Sequence, residues 1–150
     1  MLEQTFGVPQ LAALLILLQR GLEEFHSQRN TKALLAAGGR EAGADYYPVV
    51  AVTHLGWIAA LFLLIPSTAP VIWPLIGLYL VVQVARYWTI GTLGRFWTHR
   101  IITLEQAPIV RAGPYRYLRH PNYVITIVET FLLPLAFADA AVAVIFGCIW

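Results

Sequence analysis

Long apolar runs separated by short polar clusters dominate the chain. Residues 2–18 form the first run, with Pro9 inside it, and they either span a bilayer with tilt or lie partly in its interface. Residues 48–66, PVVAVTHLGWIAALFLLIP, form the best candidate span, with Thr53 and His54 as its strongly polar interior positions. Residues 69–87 carry Pro74, which either kinks a helix or sits in its first turn, and residues 121–137 open on Pro121, where a missing N–H costs little. After Asp139 a fifth apolar segment, AAVAVIFGCIW, stops at Trp150. A bilayer core of roughly 30 Å takes about 20 mostly apolar helical residues, because lipid offers the backbone no hydrogen-bond partners. The expected fold is all-α and membrane-embedded, with about five transmembrane helices and a cytoplasmic loop between helices three and four.

Composition sharpens this picture. Hydrophobic residues make up 59% of the 150, charged residues 12%, and the mean hydropathy is +0.67, outside the usual range of a soluble globule. Four Arg or Lys fall in residues 20–47, and six Arg against one acid fall in residues 86–119, whereas residues 66–70 carry no charge. The positive-inside rule puts both basic segments in the cytoplasm. The first run lacks a basic leader and a small-residue cleavage site, so it reads as retained structure. Cys148 is the single cysteine, so no internal disulfide is expected, and no Cys/His spacing resembles a zinc site, so no metal is expected. A net charge of +2 confined to membrane-hugging positions argues against nucleic acid as a partner.

The candidate chemistry gathers beside the fourth run. Residues 95–115 are rich in β-branched and aromatic side chains around Glu105-Gln106-Ala107-Pro108, which predicts a hairpin or extended pair on the membrane surface. Gly113-Pro114 reads as a turn, and His120-Pro121 as the cap and first residue of helix four. Asn122, Thr126 and Glu129 recur at i, i+4, i+7, and Tyr79, Gln83 and Arg86 repeat that spacing on helix three. Facing each other, the two seams would wall a polar pocket open to the cytoplasm. An intramembrane carboxylate is a functional candidate by default, and Glu129 reads equally as a structural partner of Arg86 or of His54. Singly, Arg111, Arg116 and Arg119 read as snorkelling anchors, and Tyr115, Tyr117, Tyr123, Trp88 and Trp97 as interfacial aromatics. Their clustering at one helix N-terminus, a natural anion site, points instead to a small ligand with an anionic group and a flat ring or sulfonium cation.

The blocks RAGPYRYLRHPNY and LGRFWTHRII resemble the isoprenylcysteine carboxyl methyltransferase-like family of integral membrane methyltransferases, and the upstream segment SQRNTKALLAAGGREAGADYYP extends the likeness over most of the chain. The resemblance implies S-adenosylmethionine as methyl donor and a lipophilic small-molecule acceptor reached from the bilayer. It implies that His120, Pro121, Asn122 and Tyr123 end the cofactor cradle, that Tyr115 closes it, and that the backbone of Ala107, Pro108, Ile109 and Val110 lines its adenosine side. Arg100 falls near the position of a family glutamine, and Ile125 replaces a glycine common among relatives. Family members continue into a cytoplasmic segment bearing an arginine and one or two glutamates. The sequence stops before such a segment, so the expectation is a single domain that lacks it, by truncation or by divergence with impaired catalysis.

In-line transfer needs alignment of acceptor oxygen, methyl carbon and sulfur, with water excluded. A carboxylate acceptor needs no base, whereas a phenol benefits from one. Glu129 and His54 are the candidate bases, and Arg86 completes the expected catalytic set. Two rival readings are a membrane NADPH-dependent reductase and a non-catalytic lipid-binding scaffold.

Overall fold

The first helix runs well past the apolar stretch that announces it. The computed structural model describes residues 6–150, and residues 2–5 of the expected first helix lie outside them. Helix α1 spans Val8–Ala36, with Pro9 in its first turn, where proline starts a helix instead of interrupting it. Its buried positions include Pro9, Ala13, Ile16, Glu23, Ser27, Asn30 and Leu34, spaced by three, four or seven residues. One helical stripe therefore runs through both halves, apolar in the first and polar in the second. Apolarity alone ends the helix near residue 18; the period carries it on.

Each end of α1 is satisfied by specific groups. Gln10 accepts from the Gly7 N–H (3.0 Å) and donates to the carbonyls of Phe62 (3.1 Å) and Ile65 (2.8 Å). One side chain thus caps the start of α1 and binds carbonyls at the end of its neighbour. At the other end Gly38, at φ +94°, donates to Leu35 and Gly39 donates to Leu34, the paired bonds of a Schellman turn. The turn sends the chain into strand β1, Arg40–Ala42.

Strand β1 corrects the expectation of a hairpin within residues 95–115. Strand β2, Ile101–Thr103, pairs antiparallel with β1, in the register Arg40↔Thr103. The two ion-paired side chains Arg100 and Glu41 (3.0 Å) fasten the same junction. A partner distant in sequence supplies the second strand, which local turn signals do not reveal.

The remaining helices are α2 (Tyr46–Leu63), α3 (Trp73–Leu93), α4 (Pro121–Ala136) and α5 (Ala140–Gly147). Pro74 lies in the first turn of α3, and Pro121 opens α4 after His120. Among the described residues, α2 alone is long and apolar enough to cross a membrane by length and composition, and α4 is a shorter apolar helix. The described chain is thus mostly helical. Helix α1 packs on α2, α3 on α4, and α5 on both α4 and α2. Their shared core holds Ile16, Trp57, Leu61, Tyr79, Leu133 and Phe137. Asp139 caps α5 by accepting from the Val142 N–H (2.9 Å).

Candidate active site

The two sequence seams do meet, and α1 joins them. Glu129 of α4 accepts from Gln83 of α3 (2.7 Å), and its other oxygen lies 3.4 Å from Arg86. Arg86 in turn grips Glu23 of α1 with two bonds, Nη2 at 2.6 Å and Nε at 2.8 Å. Arg20 closes the circuit, reaching Glu23 (2.9 Å) and Glu129 (2.6 Å). Gln19 extends it through a bond to Gln83 (2.8 Å). Two arginines and two glutamates thus neutralise one another inside the fold, and the fork of Arg86 on Glu23 gives the set a fixed geometry.

Above this network lies a cavity of about 520 Å³. Of the residues expected at the site, His54, Arg86, Arg100, Tyr115, His120, Asn122 and Tyr123 are on its wall. Residues from α1, α2, the 97–101 segment and the chain end at Trp150 complete it. Arg20 Nε, His54 Nε2 and Asn122 Oδ1 are buried with no hydrogen-bond partner among the described residues, and all three residues border this cavity. Buried polar atoms left in this way are costly, so a wall bearing three of them is suited to a polar ligand.

Other expected positions fall elsewhere. Glu129 is not on the wall: Arg20, Arg86 and Gln83 occupy its oxygens, so it braces the cavity floor and is not a base facing a ligand. Nor does it bond His54, whose ring instead meets Trp150 (4.9 Å) and Trp57 (6.3 Å). Ala107, Pro108 and Ile109 are exposed, Val110 is half-buried, and none of the four borders the cavity. Gln106, at φ 67°, sits in the turn closed by Ala107 N–H on Leu104 (3.2 Å), and the following chain runs along the surface. Pro121 is buried but is not a wall residue. Arg111, Arg116 and Arg119 are exposed and likewise off the wall. Arg100 reaches the wall, but its guanidinium is engaged by Glu41 and lies 4.4 Å over the Tyr47 ring.

Sequence reading missed a second polar group on the wall, which comes from the inner half of α1. His99 Nδ1 lies 2.8 Å from Glu24 Oε2, and the His99 N–H donates to Ser27 Oγ (2.8 Å). Asn30 holds the preceding turn by donating to the carbonyls of Gly94 (3.1 Å) and Trp97 (2.8 Å). Burial lowers the His99 pKa from the ordinary imidazole value, against the opposing pull of Glu24. Burial pushes the Tyr115 hydroxyl up to about 12, so it stays a neutral phenol at physiological pH. The signal available in the sequence was the i, i+3, i+4, i+7 run of Arg20, Glu23, Glu24 and Ser27, legible only once α1 is extended past residue 18.

Comparison with known proteins agrees with the motif. The chain is 30% identical over 127 residues to "Uncharacterized protein YpbQ" of Bacillus subtilis (strain 168), a match covering 82% of this chain and 76% of that protein. No solved structure matches the chain. Residues 75–150, which include all but the first two residues of α3, the 94–120 segment and the His-Pro-x-Tyr start of α4, match the isoprenylcysteine carboxyl methyltransferase (ICMT) family. That block supplies Arg86, His99, Tyr115, His120, Asn122 and Tyr123 to the cavity wall. By this match the chain belongs to the isoprenylcysteine carboxyl methyltransferase family, a family of membrane methyltransferases.

Proposed function

We propose that the protein transfers a methyl group from S-adenosylmethionine to a carboxylate or phenolic oxygen of a lipophilic substrate at the cytoplasmic membrane face. The observation that carries this reading is the adjacency of a cavity bearing polar side chains to an apolar groove. The groove, about 350 Å³, lies between α1 and α2, and Leu17, Leu55 and Ile58 border both spaces. Ala13, Leu14, Ala59, Phe62 and Leu63 line the rest of it. A hydrocarbon tail fits the groove while its polar head occupies the cavity. Exposed Leu14, Leu18, Leu22 and Phe25 on α1 and Val52, Leu55 and Leu63 on α2 give the flanking surface a lipid-facing character.

The cavity suits the proposed donor in size and in chemistry. A volume of about 520 Å³ lies within the range of sites for molecules of that size. Asn122 Oδ1 is an acceptor without a partner, suited to an amino group, and Tyr115, Tyr123 and Trp97 offer rings for a heterocycle or a cation. Arg20 Nε is a donor without a partner, suited to a carboxylate. When bound, the donor supplies an electrophilic methyl on a sulfonium, already attached to a good leaving group. The chain's own residues hold the two reactants in line and exclude water. By the positive-inside rule the Arg-rich segment after α3 lies on the cytoplasmic side, with α1 to α4 crossing the bilayer.

Calorimetric titration of the full chain in detergent tests this directly. S-adenosylhomocysteine should bind saturably and NADPH should not, and vesicles bearing a long-chain phenol or carboxylic acid should gain label from methyl-labelled donor. Tyr123→Ala and Asn122→Ala should each weaken S-adenosylhomocysteine binding by roughly tenfold. Binding of NADPH in its place, or of neither ligand, would overturn the reading.

A further inference from the structure

The carboxylate–imidazole pair on the α1 side of the cavity shares no hydrogen bond with the buried charge network, and its geometry is that of an oriented base. We propose that His99 accepts the acceptor's hydroxyl proton during methyl transfer, and that Glu24 is the positioning residue that fixes the tautomer able to do so. This inference rests on the methyltransferase reading above.

An ionised carboxylate only accepts, so the 2.8 Å contact of Glu24 Oε2 with His99 Nδ1 places a proton on Nδ1 and leaves the lone pair on Nε2. Glu24 is itself held, because Gln28 donates to its other oxygen (3.0 Å). The His99 backbone is tied to Ser27, and the Trp97 ring, centred 4.8 Å away at 67°, flanks the imidazole. No described residue bonds Nε2, and both His99 and Glu24 border the cavity. A histidine on the cavity wall whose Nδ1 is engaged by a carboxylate and whose Nε2 carries no other bond is the arrangement general-base chemistry requires.

A lone pair on the acceptor oxygen forms the new bond to the methyl carbon, the carbon–sulfur bond breaks with both electrons remaining on sulfur, and the hydroxyl proton moves to His99 Nε2. The imidazolium is stabilised by Glu24 and returns its proton to water. Burial favours the neutral ring beforehand, so the base is present at neutral pH. Charged and titratable groups around His99 come from every neighbouring element: Glu23, Glu24 and His26 on α1, Tyr47 and His54 on α2, Arg86 on α3, Arg100 beside it, and Tyr115 and His120 across the cavity. The pH response must therefore be assigned by substitution.

Two measurements on the full chain in detergent decide the matter. Nitrogen-15 histidine NMR should find His99 protonated at Nδ1 and not at Nε2, its signals identified by their loss in His99→Gln, and Glu24→Gln should redistribute the tautomers. With saturating S-adenosylmethionine and a long-chain phenol, His99→Gln should lower kcat about 100-fold at neutral pH, change the phenol's KM by less than threefold, and remove the acidic limb of the kcat profile. A wild-type-like kcat or acidic limb, or an Nε2-protonated ring in the native chain, overturns the proposal alone. Absence of methyl transfer by the native chain overturns it together with the reading on which it rests. Should His99→Gln give no folded protein, the native spectrum and Glu24→Gln still decide.

Discussion

Arg86 holds Glu23 more closely than it holds Glu129: two bonds of 2.6 and 2.8 Å join it to the α1 carboxylate, against a single 3.4 Å contact with the α4 carboxylate. The helix-three arginine is therefore first an anchor for α1. Through Arg20, which bridges Glu23 and Glu129, the three helices share one neutral charge set.

Removing one member should expose that dependence. Arg86→Met leaves Glu23 without its fork, and breaking a buried pair in this way costs about 3–5 kcal/mol. Arg86→Lys should recover only part of the loss, since an ammonium cannot reproduce the two parallel bonds. Reversible unfolding in detergent measures both; equal stability of Arg86→Met and the native chain would show the network to be dispensable.

Gly113 should resist substitution for two reasons at once. Its φ of +51° is a left-handed conformation, and a Cβ there would lie 2.6 Å from Thr92 Oγ1 and 3.1 Å from Trp88 Nε1 on α3. Gly113→Ala is expected to cost about 1–3 kcal/mol and to weaken S-adenosylhomocysteine binding, because Tyr115 is carried on the turn that follows. Gly91→Ala, in α3 with open space around it, provides the control in a binding titration.

Acidification should destabilise the fold through His99. Its native pKa is lowered by burial, so the unfolded chain binds more protons as the pH drops through the ordinary imidazole value of about 6.5. Stability from this group is thus full above that pH and declines below it, until the native ring also protonates. Unfolding free energies at pH 7.5 and 5.5 should differ less in His99→Gln than in the native chain; an unchanged difference would assign the effect to other groups.

Narrowing the groove should discriminate by tail length. Ala59 borders the groove but not the larger cavity. Ala59→Phe is expected to raise the KM of a long-chain acceptor several-fold while a short-chain analogue is little affected. Comparable KM changes for both would place the tail outside the α1/α2 groove.

Much of this arrangement was legible in the sequence where periodicity was local. The starts of α3 and α4 follow from Pro74 and Pro121, and the facing seams follow from the repeated i, i+4, i+7 spacing on those helices. Glu129 was readable as a partner of Arg86, but its bond to Arg20 was hidden, because Arg20 appeared to lie beyond the end of the first helix. The same truncation hid Glu24 and Ser27, and with them the position of His99. The pairing of residues 40–42 with 101–103 joins segments about 60 residues apart, a link no local pattern encodes.

Helix α1, with 29 residues, measures about 43 Å along its axis. Laid across a hydrocarbon layer of about 30 Å, such a mast leaves more than two turns standing clear of the oil. That overhang carries Asn30, which holds the carbonyls of Gly94 and Trp97 just ahead of His99. On the proposed topology, changes in bilayer thickness or in mast tilt would act on this end of the helix and so on the His99 segment.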